Sequence, residues 1–319
     1  DNVCQFISDK FDMLIEATLP HQVPRLRETA FFVIGHVINN YPRIIAEIDT
    51  DKRIASIINS FESVLCTDGQ NIKSNGEITT LLRCADIIYY IASACENNNN
   101  IFISILYANF EKFYEIQKIL FNCGISNNNR KLIENSTKAL NKLIHNAPPN
   151  LSSRLGDIYK STLDNLDQSK TQSLSPDTLF IVQSSFCSNI NNLLLKLKKI
   201  SGPNNREIIS AYAGRTLEML YELLCYKNVD IYNKGLMCFS SLVDATSFGD
   251  EGSYIELFNQ DTFASLINDF IYNGLVSMNS DVINSSCMLI SNLYYFKIQK
   301  IPELVEEIPD IFNVLKNIL

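Results

Sequence analysis

The chain has no tryptophan, only 3 histidines, and only 11 glycines and 9 prolines among 319 residues. So few glycines leave little from which to build a phosphate cradle, and no G-x-x-x-x-G-K-[ST], G-x-G-x-x-G or G-x-S-x-G pattern occurs. His21, His36 and His145 lie far apart, without the H-E-x-x-H or Cys/His spacing that a metal requires. They read as structural residues, and the chain reads as a non-enzyme without metal or cofactor. The missing indole removes one common binding anchor. No apolar run approaches the ~18 residues of a membrane span, so the expectation is a soluble chain that neither crosses a bilayer nor carries a signal peptide. Positive charge is short as well: the net charge is -8 and the pI about 5.0. Phosphate binding needs a basic face, which argues against nucleic acid and fits a basic protein partner better.

Hydrophobic residues, by contrast, make up 46% of the chain and charged ones 19%, as in a folded protein. The cysteines at 4, 66, 84, 95, 123, 187, 225, 238 and 287 are scattered without a C-x-x-C pair, mostly inside apolar stripes, as buried free thiols are in a reducing compartment. Asn135-Ser-Thr and Asn284-Ser-Ser match the glycosylation pattern, but an Asn-rich sequence produces such matches by chance. The chain starts at Asp1 and stops inside an apolar pattern at Leu319, which suggests a piece of a longer array.

Every strongly periodic stretch repeats at 3.6 residues and none at 2, which predicts an all-α fold. Leu26, Ala30, Val33, Ile34, Val37 and Ile38 form one stripe, after a proline where a helix tolerates it, at Pro24. Ile54, Ile57, Ile58, Phe61, Val64 and Leu65 form the next. Leu81 to Ala92 pairs with Phe102 to Leu120, and Gly124 stands where a C-cap is expected. Leu132 to Ile144 pairs with Leu155 to Leu166, and Val182 to Leu197 with Ile209 to Leu224. First helices begin roughly every 50 residues, slightly more than the ~40–47 of a HEAT or armadillo unit. The expected organisation is a half repeat at 1–20 and repeats at about 21–67, 76–124, 127–168, 175–226, 228–275 and 279–319. Such regular spacing favours a solenoid of stacked hairpins over a compact bundle.

Basic and aromatic clusters have ordinary explanations. Lys196-Leu-Lys-Lys199 closes a helix, offsetting its negative end, while Tyr89-Tyr90 and Tyr294-Tyr295-Phe296 read as packing. The carboxylates of the second helices are more informative. Glu111 and Glu115, and Glu218 and Glu222, are like charges four apart, costing a few tenths of a kcal/mol per pair. Asp157 and Asp164 lie on another second helix and Glu62 on the one before. A solvated face would explain them; so would an acidic lining, since second helices line the concave side of such a superhelix.

The order of motifs carries a family resemblance. Leu26-Arg27, small Ala30 and Val33-Ile34-Gly35 resemble the first helix of a HEAT repeat. Arg25 to Pro42, Cys84 to Cys95, and Ile231 to Asp244 followed by Gly252-Ser-Tyr, Gly274-Leu, Met288 to Tyr294 and Ile301-Pro302 resemble, in collinear order, the central part of the importin-β family. Asp86 stands where that family carries a cargo-facing tryptophan. The resemblance implies a HEAT-repeat α-solenoid, a right-handed superhelix of antiparallel helix pairs acting as a monomeric nuclear import receptor. It would bind a basic import signal or the importin-α adaptor on its concave face through Glu62, Glu111, Glu115, Asp157, Asp164, Glu218 and Glu222. It would also contact Phe-Gly nucleoporins, answer to Ran-GTP, and move between cytoplasm and nucleus through the pore. The alternative is a HEAT scaffold that assembles a phosphatase or another complex.

Overall fold

Asparagine, abundant in the sequence, caps three of the described helix starts. The computed structural model describes residues 2–42, 50–68, 75–97, 100–200, 203–225, 228–246 and 270–300, and among these all regular structure is helical. The helices are α1 (Asn2–Ala17), α2 (Pro24–Asn40), α3 (Thr50–Asp68), α4 (Asn75–Ala94), α5 (Asn100–Ser126), α6 (Arg130–His145), α7 (Ser152–Thr171), α8 (Pro176–Lys199), α9 (Pro203–Leu224), α10 (Val229–Thr246) and α11 (Ser280–Lys300). Residues 201–202, the Gly252-Ser-Tyr segment and the stretch from Ile301-Pro302 to Leu319 lie outside the described residues. Asn129, Asn228 and Asn279 each accept a backbone N–H of the first turn on their Oδ1, from Leu132 at 2.9 Å, Asp230 at 2.9 Å and Asp281 at 2.9 Å. Ser175 does the same for Thr178 N at 3.2 Å. Each such cap stabilises its helix by about 1 kcal/mol.

Two local expectations need correction. Gly124 is not a C-cap: α5 continues to Ser126, and a Cβ at position 124 would stand 2.7 Å from Ile133 Cγ1. The glycine is there so that α5 and α6 can approach closely. The left-handed residue of this turn is Asn128, with φ of 50°, a conformation that asparagine tolerates better than most residues. In α2 the buried face is Arg27, Ala30, Phe31, Ile34, Gly35 and Ile38, while Leu26 is exposed and Val33 and Val37 are half-buried. The stripe is rotated because the Arg27 guanidinium turns inward, donating to Pro20 O at 2.8 Å and Gln22 O at 3.3 Å. That bond closes the preceding loop on a helix whose N-cap, Val23, has no side-chain oxygen to offer.

Contacts divide the chain into two units, Asp1–Pro148 with Ser173–Ile181, and Pro149–Gln172 with Val182–Leu319. In the first, α2 packs on α4 and α4 on α6, while α1 packs on α3 and α3 on α5. First helices therefore form one layer and second helices another. In the second unit α10 packs on α11, α7 on α9, and α9 on α10; α8 joins this unit from Val182. The second-helix stripes at Ile54 to Leu65, Phe102 to Leu120 and Leu155 to Leu166 are buried at every apolar position expected. At roughly 1.5–3 kcal/mol for each such side chain, this burial is what drives neighbour onto neighbour. Packing each hairpin on its sequence neighbours is the construction of an α-solenoid.

Candidate partner-binding surface

Consecutive repeats are stitched by polar rungs. Between first helices of the first unit, Asn135 Nδ2 donates to Asp86 Oδ1 at 2.9 Å, Lys142 Nζ to Glu96 at 2.7 Å and Asn146 Nδ2 to Ala92 O at 3.0 Å. In the second unit Lys198 pairs with Asp244 at 2.6 Å, and Ser241 donates to Asn191 and Ser285 to Asn233, each at 2.6 Å. Asp86 therefore faces α6 across a seam. Burial pushes its carboxyl above the usual carboxylate range, opposed by Arg83 at 3.2 Å and by the charges of Lys131 and Lys138. Arg83 also reaches Glu28 at 3.8 Å and covers the Phe32 ring at 4.9 Å, which Phe32 shares with a stacked His36.

The seven carboxylates singled out in the sequence all lie on second helices, Glu62 on α3, Glu111 and Glu115 on α5, Asp157 and Asp164 on α7, Glu218 and Glu222 on α9. The first three belong to the first unit and the other four to the second. Six are exposed and Asp164 is half-buried. Glu62 meets Lys112 of α5 at 3.8 Å, and Asp157 meets Arg154 one turn away at 3.5 Å. Glu218 has no ion pair among the described residues. Asp164 and Glu222 are brought into one network: Arg215 reaches Asp164 at 2.8 Å and Asp167 at 2.6 Å, and Lys170 pairs with Asp167 at 3.4 Å and with Glu222.

Within that network burial raises the Asp167 carboxyl, but Arg215 and Lys170 outweigh it and hold the group below the usual range. Burial likewise lowers the Lys170 ammonium, and Glu222 with Asp167 lifts it above its ordinary value. Asp167, Lys170 and Arg215 are the residues that sequence reasoning passed over. A signal existed: Asp164, Asp167 and Lys170 stand three residues apart along α7, and Arg215 and Glu222 follow about one repeat later with opposite sign. Under this network the seam is apolar and aromatic. The buried Tyr159 ring lies 5.2 Å from that of Tyr212, and the Tyr159 hydroxyl and Thr216 Oγ1 are 2.9 Å apart.

Among the described residues no group of His, Cys, Asp and Glu could hold a metal ion, and no helix is long and apolar enough to cross a membrane. Cys84, Cys95, Cys123, Cys187 and Cys238 are buried free thiols, whereas Cys225 and Cys287 are exposed. Burial pushes Cys95 and Cys187 up to about 12, far from a reactive thiolate.

In structure the chain is similar to importin beta crystallised from ammonium sulfate, with a TM-score of 0.68 and 15% identity over 99% of this chain and 33% of that one. It therefore spans about a third of that protein's length. It is also similar to two engineered proteins, with TM-scores of 0.59 and 0.56 at 13% and 12% identity, covering 98% and 97% of those chains. Neither a protein-family model nor a curated protein matches the sequence. At such identities the likeness is one of fold, a HEAT-type α-solenoid.

Proposed function

We propose that this protein is a nuclear import receptor of the importin-β kind, which holds a basic import signal, or the importin-α adaptor that carries one, against its second helices. The observation that carries the reading is the structural match of 99% of the chain to 33% of importin beta, which supports the collinear motif order of the sequence. The exposed carboxylates Glu62, Glu111, Glu115, Asp157, Glu218 and Glu222, with Asp164 half-buried beside them, supply a field of the sign that a lysine- or arginine-rich segment needs. Glu111 with Glu115 and Glu218 with Glu222 keep like charges one helical turn apart, which adds to the negative field of these helices. Phe-Gly nucleoporins and Ran-GTP are the further partners of this reading, and cytoplasm, nucleus and nuclear pore its location.

The test is a pull-down of the chain by an adaptor's basic segment at low salt, with Ran-GTP as competitor. Charge reversal at Glu111 and Glu115, and separately at Glu218, is expected to weaken capture, most visibly at low ionic strength. Unchanged affinity in both variants removes these carboxylates from the site. Failure of the unmodified chain to bind any basic segment sinks the transport reading itself.

A further inference from the structure

In the second unit α7 and α9 run side by side in the same direction, and the chemistry of their seam changes along its length. At the N-terminal end a Cβ on Gly156 would meet three carbons of the Ile208 side chain at 3.3–3.4 Å, and Tyr159 packs on Tyr212 and bonds Thr216 within the core. Farther along, the apolar residues still line the core, but what joins the two helices at the rim is charge. Asp164 and Asp167 meet Arg215, and Lys170 meets Asp167 and Glu222.

We propose that this seam is a one-ended latch, hinged where Gly156 and Tyr159 lie on Ile208, Tyr212 and Thr216, and released by competing ions where Asp164, Asp167 and Lys170 meet Arg215 and Glu222. The two ends answer differently to salt. Ring packing and a buried hydroxyl pair are insensitive to screening, whereas the five charged side chains are between 35% and 55% exposed. As ionic strength rises from 0.1 M to 1 M the Debye length falls from about 10 Å to about 3 Å, so water-facing pairs lose most of their attraction. Arg215 and Lys170 each hold two carboxylates, so loss of either cation loosens several contacts together. Release at that end lets the second helices of neighbouring repeats splay about their other end, a local opening rather than unfolding. The device does not depend on the identity of any partner.

Amide hydrogen exchange on the whole chain provides the test, comparing residues 165–171 and 218–224 with residues 153–160 and 205–213. Raising NaCl from about 0.05 M to about 1 M is expected to speed exchange in the first pair by about five-fold, the factor that corresponds to about 1 kcal/mol, and to leave the second pair unchanged. Arg215→Gln is expected to show at low salt the pattern that the unmodified protein shows at high salt. Lys170→Glu and Glu222→Lys should each loosen the same amides, and the two together should restore part of the protection, through the reversed 170–222 pair but not the contact with Asp167. Equal response of both ends to salt overturns the proposal, as does an absence of response. Because the salt comparison uses the unmodified protein, the proposal can be overturned even where a variant fails to fold.

Discussion

The α3–α5 seam of the first unit and the α7–α9 seam of the second have the same place in their repeats, and their apolar stripes are buried alike. Their polar chemistry differs. Across α3–α5 the ion pair given by the structure is Glu62 with Lys112, at 3.8 Å and with both side chains about half exposed. Across α7–α9 five charged residues interlock above a buried tyrosine that bonds a threonine. Both seams also bury unbonded polar atoms: Gln117 of α5 is 1% exposed, and neither its Oε1 nor its Nε2 has a partner among the described residues, while Asn205 Oδ1 of α9 is likewise buried without one. Burying apolar surface thus suffices to stack repeats, and the polar rungs decide how each seam responds to salt, pH and substitution.

The comparison breaks most severely at Tyr159. Tyr159→Ala removes a fully buried ring together with the partner of Thr216, and should destabilise the chain by about 3–5 kcal/mol in denaturant titration. Tyr159→Phe, which removes only the hydroxyl, should cost about 1 kcal/mol. On the other seam Gln117→Met is expected to stabilise by about 1–3 kcal/mol, because it relieves an uncompensated burial while conserving volume. Loss of stability in that variant would falsify the account of Gln117 as unsatisfied.

Titration sharpens the contrast further. Asp167 is held below its ordinary pKa, so its contribution is present at neutral pH and is lost as pH falls through its lowered folded value. Asp86 lies the other way. Its raised pKa means the folded state binds the proton more tightly than the unfolded one, so its contribution favours folding at acid pH and is lost as pH rises through its folded value. Carboxyl resonances followed by NMR should therefore show Asp86 titrating before Asp167 as the pH is lowered; the reverse order would refute both assignments. The smallest effect belongs to Glu62→Gln, for which an exposed pair at 3.8 Å predicts a change below about 0.5 kcal/mol, against a larger, salt-dependent one for Asp167→Asn.

Much of the fold was legible because helical periodicity is a local property. The stripes at Ile54 to Leu65, Phe102 to Leu120 and Leu155 to Leu166 follow from spacing with every residue in place, since each second helix turns a single apolar face to its neighbours. Periodicity misleads in α2, where a cation enters the core: Arg27 counts as polar in any pattern, yet its stem and guanidinium are buried to bind the carbonyls of Pro20 and Gln22. Gly124 misleads for a related reason, because a glycine at a close approach and a glycine at a helix end look identical in sequence. Of the candidate surface, the sequence showed which carboxylates stand on second helices, and could not show that Asp164 and Glu222 are drawn into one network with Arg215 and Lys170.

By itself the sequence determined the class of fold and the apolar face of most helices, since these follow from spacing along one chain segment. Only the tertiary structure decided which opposite charges meet, because residues about one repeat apart become neighbours only after two hairpins have stacked. It also decided which glycine admits a neighbour and which arginine turns inward, because both depend on the space that a second helix leaves.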